Sequence, residues 1–104
     1  MATYTQSHDL DEQFYKRADG HIQLANKHLD AQKRAEMVNS SFLYAAARFN
    51  AWISAAGLTS QAEMALKREE LIGYFTDQYR AMLEENLDDY ITNYDQYLGV
   101  KKEL

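Results

Sequence analysis

The 104-residue sequence predicts an all-α fold, an antiparallel three-helix bundle with a long third helix. Three observations predict it: the chain has no proline, helix-forming residues dominate, and apolar residues recur at the spacing of one helix face. A chain of this length holds one domain at most. We therefore expect a single helical domain over residues 1–104, with a flexible N-terminus at residues 1–8 and a flexible C-terminus at residues 99–104.

The first predicted helix begins at Asp9, whose side chain can accept hydrogen bonds from free backbone amides, with Glu12 as the capping-box partner. It is expected to end between Leu29 and Met37. Its apolar residues follow the helical spacing and predict one buried face. They are Leu10, Phe14, Ala18, Ile22, Ala25 and Leu29.

The second predicted helix has Asn39 as its cap and Gly57 as a left-handed terminator. Its large apolar residues are distributed almost all round the helix. They are Phe42, Leu43, Tyr44, Phe49, Trp52 and Ile53. A helix so apolar is normally a central one, so we expect it to be covered on more than one side.

Two polar residues, Arg48 and Asn50, interrupt the apolar surface of the second helix. A buried arginine must be paired, and it can also stack on Trp52 four residues along. The candidate partners on other helices are Asp19, Glu69 and Glu70. We predict that Arg48 and Asn50 have a structural role in fixing helix register; the alternative is a contact with an anion or ligand.

The third predicted helix begins at Ser60, with Glu63 completing a capping box, and meets no convincing stop before about Tyr97. Gly73 is its only interior weak point. A rise of 1.5 Å per residue makes this helix about 55 Å long, against about 27 Å for the second. If the two run antiparallel, the part after about Arg80 extends beyond the second helix.

The extension keeps an apolar row that would be an unusually large exposed patch in a monomer. No glycine or proline is present to bend the helix back over it. We therefore predict a symmetric homodimer in which a second copy covers the row. The predicted interface residues are Leu83, Leu87, Tyr90, Ile91 and Tyr94.

No arrangement of residues in the sequence predicts catalysis. The chain has no cysteine, most of its serines lie at cap positions, and it lacks a glycine-rich phosphate loop and a nucleophile elbow. The sequence therefore predicts no catalytic residue and no cofactor.

Acidic residues on the third helix offer an alternative, a metal- or small-ligand-binding helical bundle. Its ligands would come from Glu85, Asp88, Asp89, His21 and His28. The helical phase places the acids mainly on the flanks and outside, which favours a solvated face instead. The two histidines are two turns apart, about 10 Å, which is too far for one metal ion without other ligands.

Charge and hydropathy exclude other classes of partner. The net charge is −5 and the basic residues are scattered, so we expect no nucleic acid. The N-terminus lacks the features of a signal peptide, and no apolar stretch approaches the roughly 20 residues that span a bilayer. We expect a cytoplasmic protein without a membrane partner.

Three segments together resemble a known family: "DEQFYKRADGHIQLAN" in the first helix, "SFLYAAARFNAW" in the second and "YFTDQYRAMLEENLDDYI" in the third. They are similar to the small bacterial proteins of domain-of-unknown-function family 3144. The resemblance covers roughly Asp11 to Tyr94 and implies a bacterial, cytoplasmic, all-helical protein without an assigned activity. The apolar row of the third helix and the lack of catalytic motifs, rather than the resemblance, lead us to predict a non-enzymatic protein that acts through self-association and contacts with an unknown protein partner.

Overall fold

The computed structural model describes residues 11–30 and 34–99, and this part of the chain contains helices and no strand. The prediction of an all-α protein is confirmed. The helices are α1 (Phe14–Asp30), α2 (Ala35–Ala56), α3 (Gln61–Leu66), α4 (Arg68–Thr92) and α5 (Tyr94–Leu98). The chain divides into two compact units, Met1–Arg68 and Glu69–Leu104. The single domain over residues 1–104 stays a prediction.

A turn held by Asp11 precedes α1. The Asp11 carboxylate accepts a hydrogen bond from the backbone N–H of Gln13 at 2.9 Å and forms an ion pair with Arg17. The Arg17 hydrogen bond, followed by that from Gln13, lowers the pKa of Asp11 below its ordinary value. The predicted cap at Asp9 lies outside the described residues. α1 ends at Asp30, inside the predicted range.

α2 begins at Ala35, so Asn39 lies within the helix and its predicted role as cap is wrong. The backbone carbonyl of Arg34 accepts from Met37 and Val38 at 3.0 and 3.2 Å, and these bonds start the helix without a side-chain cap. A cap preference of about 1 kcal/mol is small enough for such backbone bonds to override it. The side chain of Ser40 is also interior, since its hydroxyl donates to the Glu36 carbonyl at 3.0 Å.

The end of α2 at Ala56 agrees with the prediction, although its chemistry differs. Gly57 has φ −91° and ψ −2°, which is a right-handed conformation, so the left-handed terminator predicted there is wrong. Its N–H donates to the carbonyls of Ile53 and Ser54 at 3.2 Å, and Leu58 N–H donates to the carbonyl of Ala55 at 3.2 Å. These bonds satisfy the last carbonyls without a residue of positive φ.

The cap predicted at Ser60 is confirmed. Its hydroxyl oxygen accepts from the backbone N–H of Glu63 at 3.1 Å. The Glu63 carboxylate reaches back one residue further than in a standard capping box, and accepts from both the N–H and the hydroxyl of Thr59 at 2.9 and 2.7 Å. The Thr59 backbone and hydroxyl bonds lower the pKa of Glu63.

The single long helix predicted from Ser60 to about Tyr97 is interrupted at Lys67 and Asn93, so that part of the prediction is wrong. Lys67 has φ −95° and ψ 7°, and its N–H is shared between the carbonyls of Glu63 and Met64 at 3.1 Å. Gly73, the predicted weak point, lies inside α4 without breaking it.

The second interruption, at Asn93, lies among side-chain hydrogen bonds. The Asn93 amide donates to the backbone carbonyl of Asp89 at 3.1 Å and to its carboxylate Oδ1 at 2.9 Å. Asn93 takes φ −111° and ψ 27° at this point. Asn86 makes the same kind of bond to the Met82 carbonyl at 2.8 Å inside α4, so this bond alone does not end a helix. α5 then ends at Gly99, whose φ of 62° is left-handed, and whose N–H donates to the Asp95 carbonyl.

Burial is sparse among the described residues, of which only Val38 on α2 is buried. α1 and α2 contact each other within the first unit. The aromatic residues expected to be covered on α2 are exposed, with Trp52 at 63% and Phe49 at 60%. Arg48 is exposed as well, so the buried guanidinium that would have required a partner is not present.

Candidate functional site

The strongest candidate surface lies on α4 and α5, in the second unit. The five residues predicted to form an interface are all exposed there, from 40% for Leu83 to 72% for Ile91. We call them the apolar row: Leu83, Leu87, Tyr90, Ile91 and Tyr94. Their spacing of three and four residues puts them on one side of the helical segment. Contact between this row and a second copy stays a prediction.

A tyrosine pair connects α4 to α5 beside this row. The rings of Tyr90 and Tyr97 meet edge to face, with centroids 4.9 Å apart. The Tyr97 hydroxyl donates to Asp89 Oδ1 at 3.3 Å, the same oxygen that accepts from Asn93. The hydrogen bond to Asp89 is the main cause that raises the pKa of Tyr97 above 10.0. Asp89 therefore has a structural contact that the sequence analysis did not find.

The charge of the second unit is strongly negative. Residues 69–104, which form this unit, carry nine acidic and three basic side chains, a net charge of −6. Residues 1–68 carry seven acidic and eight basic side chains, a net charge of +1. Arg80 Nε donates to Glu84 at 3.0 Å, and both side chains are largely exposed. The predicted solvated acidic face, partly balanced by Arg80, agrees with this geometry.

The residues predicted for a metal site lie on two different helices, in two different units. His21 and His28 lie on α1 in the first unit, whereas Glu85, Asp88 and Asp89 lie on α4 in the second. Within residues 11–30 and 34–99, no group of three or more histidine, aspartate or glutamate side chains is placed to hold a metal ion.

A cavity between α1 and α2, inside the first unit, is a site that the sequence analysis missed. Its volume is about 510 Å³. Both helices contribute apolar side chains, and Asn50, predicted as a structural polar residue, is half-buried in its wall. The lining is His21, Leu24, Ala25, His28, Val38, Ser41, Phe42, Ala45, Ala46, Phe49 and Asn50. The α1 members are spaced as one helix face, which was the available signal.

Trp52, which was predicted to stack on Arg48, stacks on Phe49 in the same helix. The two ring centroids are 5.9 Å apart and the planes differ by 27°. Phe49 thus contributes both to the cavity wall and to an exposed aromatic pair. The register-fixing role predicted for Arg48 and Asn50 stays a prediction.

Comparison with known proteins identifies the family. The family model described as "Protein of unknown function (DUF3144)" matches residues 14–91. The chain belongs to this family. The match spans α1 and α2 and nearly all of α4, so the recognised segments and the observed helices coincide.

A solved structure of similar fold is that of the protein NB7890A from Shewanella sp, determined by NMR. The two chains are 36% identical, with a TM-score of 0.72. The alignment covers 86% of this chain and 94% of that one. A comparison with curated proteins gave no match. No helix among the described residues is both long enough and apolar enough to cross a bilayer.

Proposed function

We propose that this chain is a non-enzymatic, cytoplasmic bacterial protein that forms a homodimer and acts through protein contacts, with the predicted antiparallel three-helix bundle as its protomer. The observation that carries the proposal is the exposure of the apolar row. Leu87 is 53% exposed, Tyr90 50% and Ile91 72%. Contiguous exposed apolar surface of this kind marks interaction sites.

The energy available from covering the row is substantial. Full burial of one large apolar side chain contributes about 1.5–3 kcal/mol, and five half-exposed side chains would together contribute several kcal/mol. Tyrosine suits such a surface because it gives a large contact area and keeps a polar tip for water or a partner. The Tyr90–Tyr97 contact adds to this by ordering part of the surface before a partner arrives.

Charge opposes the same association and determines its salt dependence. Two copies of a unit with a net charge of −6 repel each other when they meet through this surface. Dissolved salt screens exposed charges over a Debye length of about 8–10 Å near physiological ionic strength. We therefore expect the dimer to become tighter as salt concentration rises, the opposite of an association driven by opposite charges.

The mass in solution tests the proposal. Sedimentation equilibrium should give twice the protomer mass of 12.1 kDa at micromolar concentration, with a larger dimer fraction at high salt. Leu87→Ser and Ile91→Ser should each return the protein to the monomer. Leu66→Ser is the matched control, because Leu66 is 88% exposed on α3 and outside the row. A monomer at high micromolar concentration, or equal loss of the dimer in the control, would refute the proposed interface.

A further inference from the structure

The cavity between α1 and α2 has the size and lining of a small-molecule site. Its volume of about 510 Å³ falls within the range of about 300–1,000 Å³ that ligand pockets occupy. Leu24 of α1 and both Phe42 and Phe49 of α2 line it. Val38, the buried residue of α2, also lines it, so the cavity is continuous with the best-packed point of the first unit.

Two histidines, one serine and one asparagine are the polar side chains of this cavity. His21 and His28 line it from α1, and α2 contributes Ser41 and Asn50. Among the described residues that line it there is no Asp, Glu, Lys or Arg. An imidazole N–H donates hydrogen bonds, and the lining contains no carboxylate of the protein to accept them. The cavity is thus mainly apolar, with hydrogen-bond donors from two imidazoles.

We propose that this cavity binds a small anionic amphiphile, with its apolar body against Leu24, Phe42 and Phe49 and its carboxylate hydrogen-bonded to a histidine. An apolar body matches the walls, and an anion matches the two imidazoles. His21 and His28 are about 10 Å apart along the helix, so one headgroup reaches one of them. The site is separate from the apolar row, and ligand binding and self-association can therefore succeed or fail independently.

The full-length chain and three probes with the same alkyl chain test the proposal by isothermal titration calorimetry, all below their micelle-forming concentrations. The probes are decanoate, decanol and decyltrimethylammonium. A hydrogen bond to the charged carboxylate predicts that decanoate binds at least about tenfold more tightly than decanol. His21→Gln or His28→Gln should remove that preference, and the variant that does so identifies the headgroup position.

A second pair of variants tests the location. Ala46→Phe should fill the cavity and abolish decanoate binding, because Ala46 lines it. Ala47→Phe makes the same change at the neighbouring exposed position, outside the lining, and should leave binding unchanged. Circular dichroism confirms that each variant is folded.

Several results would overturn the proposal. They are equal affinity for decanoate and decanol, unchanged affinity in both histidine variants, and equal effects of Ala46→Phe and Ala47→Phe. Absence of decanoate binding would also overturn it. If Ala46→Phe instead dissociates an oligomer, the occupant is a protein segment and the small-molecule proposal fails.

Discussion

Replacing Gly73 with alanine should stabilise the protein. Gly73 lies within α4, and a Cβ built on it meets no atom within 4 Å. Alanine loses less backbone entropy than glycine when the helix forms, so the expected gain in the free energy of unfolding is about 0.4–1 kcal/mol. For a domain of this size each kcal/mol raises the melting temperature by roughly 4–8 °C.

Gly99→Ala is the matched control of opposite sign. A Cβ at Gly99 also meets nothing within 4 Å, but the residue has φ 62°. The left-handed conformation costs a residue with a Cβ roughly 1–2 kcal/mol, so this variant should melt at a lower temperature. The two variants thus make the same chemical change where the added Cβ meets no atom within 4 Å, and the sign of each effect is set by the backbone conformation of the glycine.

The assay is thermal and urea unfolding followed by far-ultraviolet circular dichroism, at one protein concentration for all variants. A lower melting temperature for Gly73→Ala would refute the reasoning, because it would show that space around Gly73 is occupied in solution. Gly20→Ala repeats the experiment on α1, where the added Cβ also meets nothing within 4 Å.

Three further outcomes are expected from the local contacts. Ser60→Ala should lower the free energy of unfolding by about 1 kcal/mol in urea denaturation, whereas Ser40→Ala, inside α2, should change it little. Folding lowers the pKa of Glu63, so its ionised carboxylate stabilises the protein above pH 4.5, and this stabilisation is lost as the pH falls through the lower pKa of the folded state. Glu63→Gln should remove that part of the pH dependence of the melting temperature. Asp89→Asn should bring the raised pKa of Tyr97 back toward 10.0, which ultraviolet titration of tyrosinate measures; an unchanged titration would contradict the hydrogen bond.

The features that were predicted correctly from the sequence depend on residues within a few positions of each other. The Ser60 cap depends on residues three positions apart, and the end of α2 depends on the small residue that follows Ala56. The cap predicted at Asn39 was wrong because backbone hydrogen bonds can start a helix earlier than a favourable cap residue would. The interruption at Asn93 was not predicted because Asp89, Asn93 and Tyr97, which are hydrogen-bonded at successive four-residue intervals, also fit an uninterrupted helix.

The cavity could not be predicted in the same way. His21, Leu24 and His28 show the spacing of a helix face, but whether that face closes against α2 or leaves a space depends on how the two helices approach each other. The exposure of Phe49 and Trp52 could not be predicted either. An apolar pattern indicates that a side chain is stabilised by burial, but it does not identify the surface that would cover it. Packing between elements therefore depends on contacts that the spacing of apolar residues does not identify.

The contacts at the helix ends also bear on the order of events in assembly. They join residues that are close in the sequence, Ser60 with Glu63 and Tyr97 with Asp89, the latter eight positions apart. Chains rich in local contacts fold within microseconds to milliseconds because little loop entropy is lost first. At one micromolar, a typical association rate constant of about 10⁵–10⁷ M⁻¹s⁻¹ allows only about 0.1–10 encounters per second. Two copies would therefore meet as chains whose helices are already formed, and refolding would show a fast phase independent of concentration followed by a slower one that depends on it.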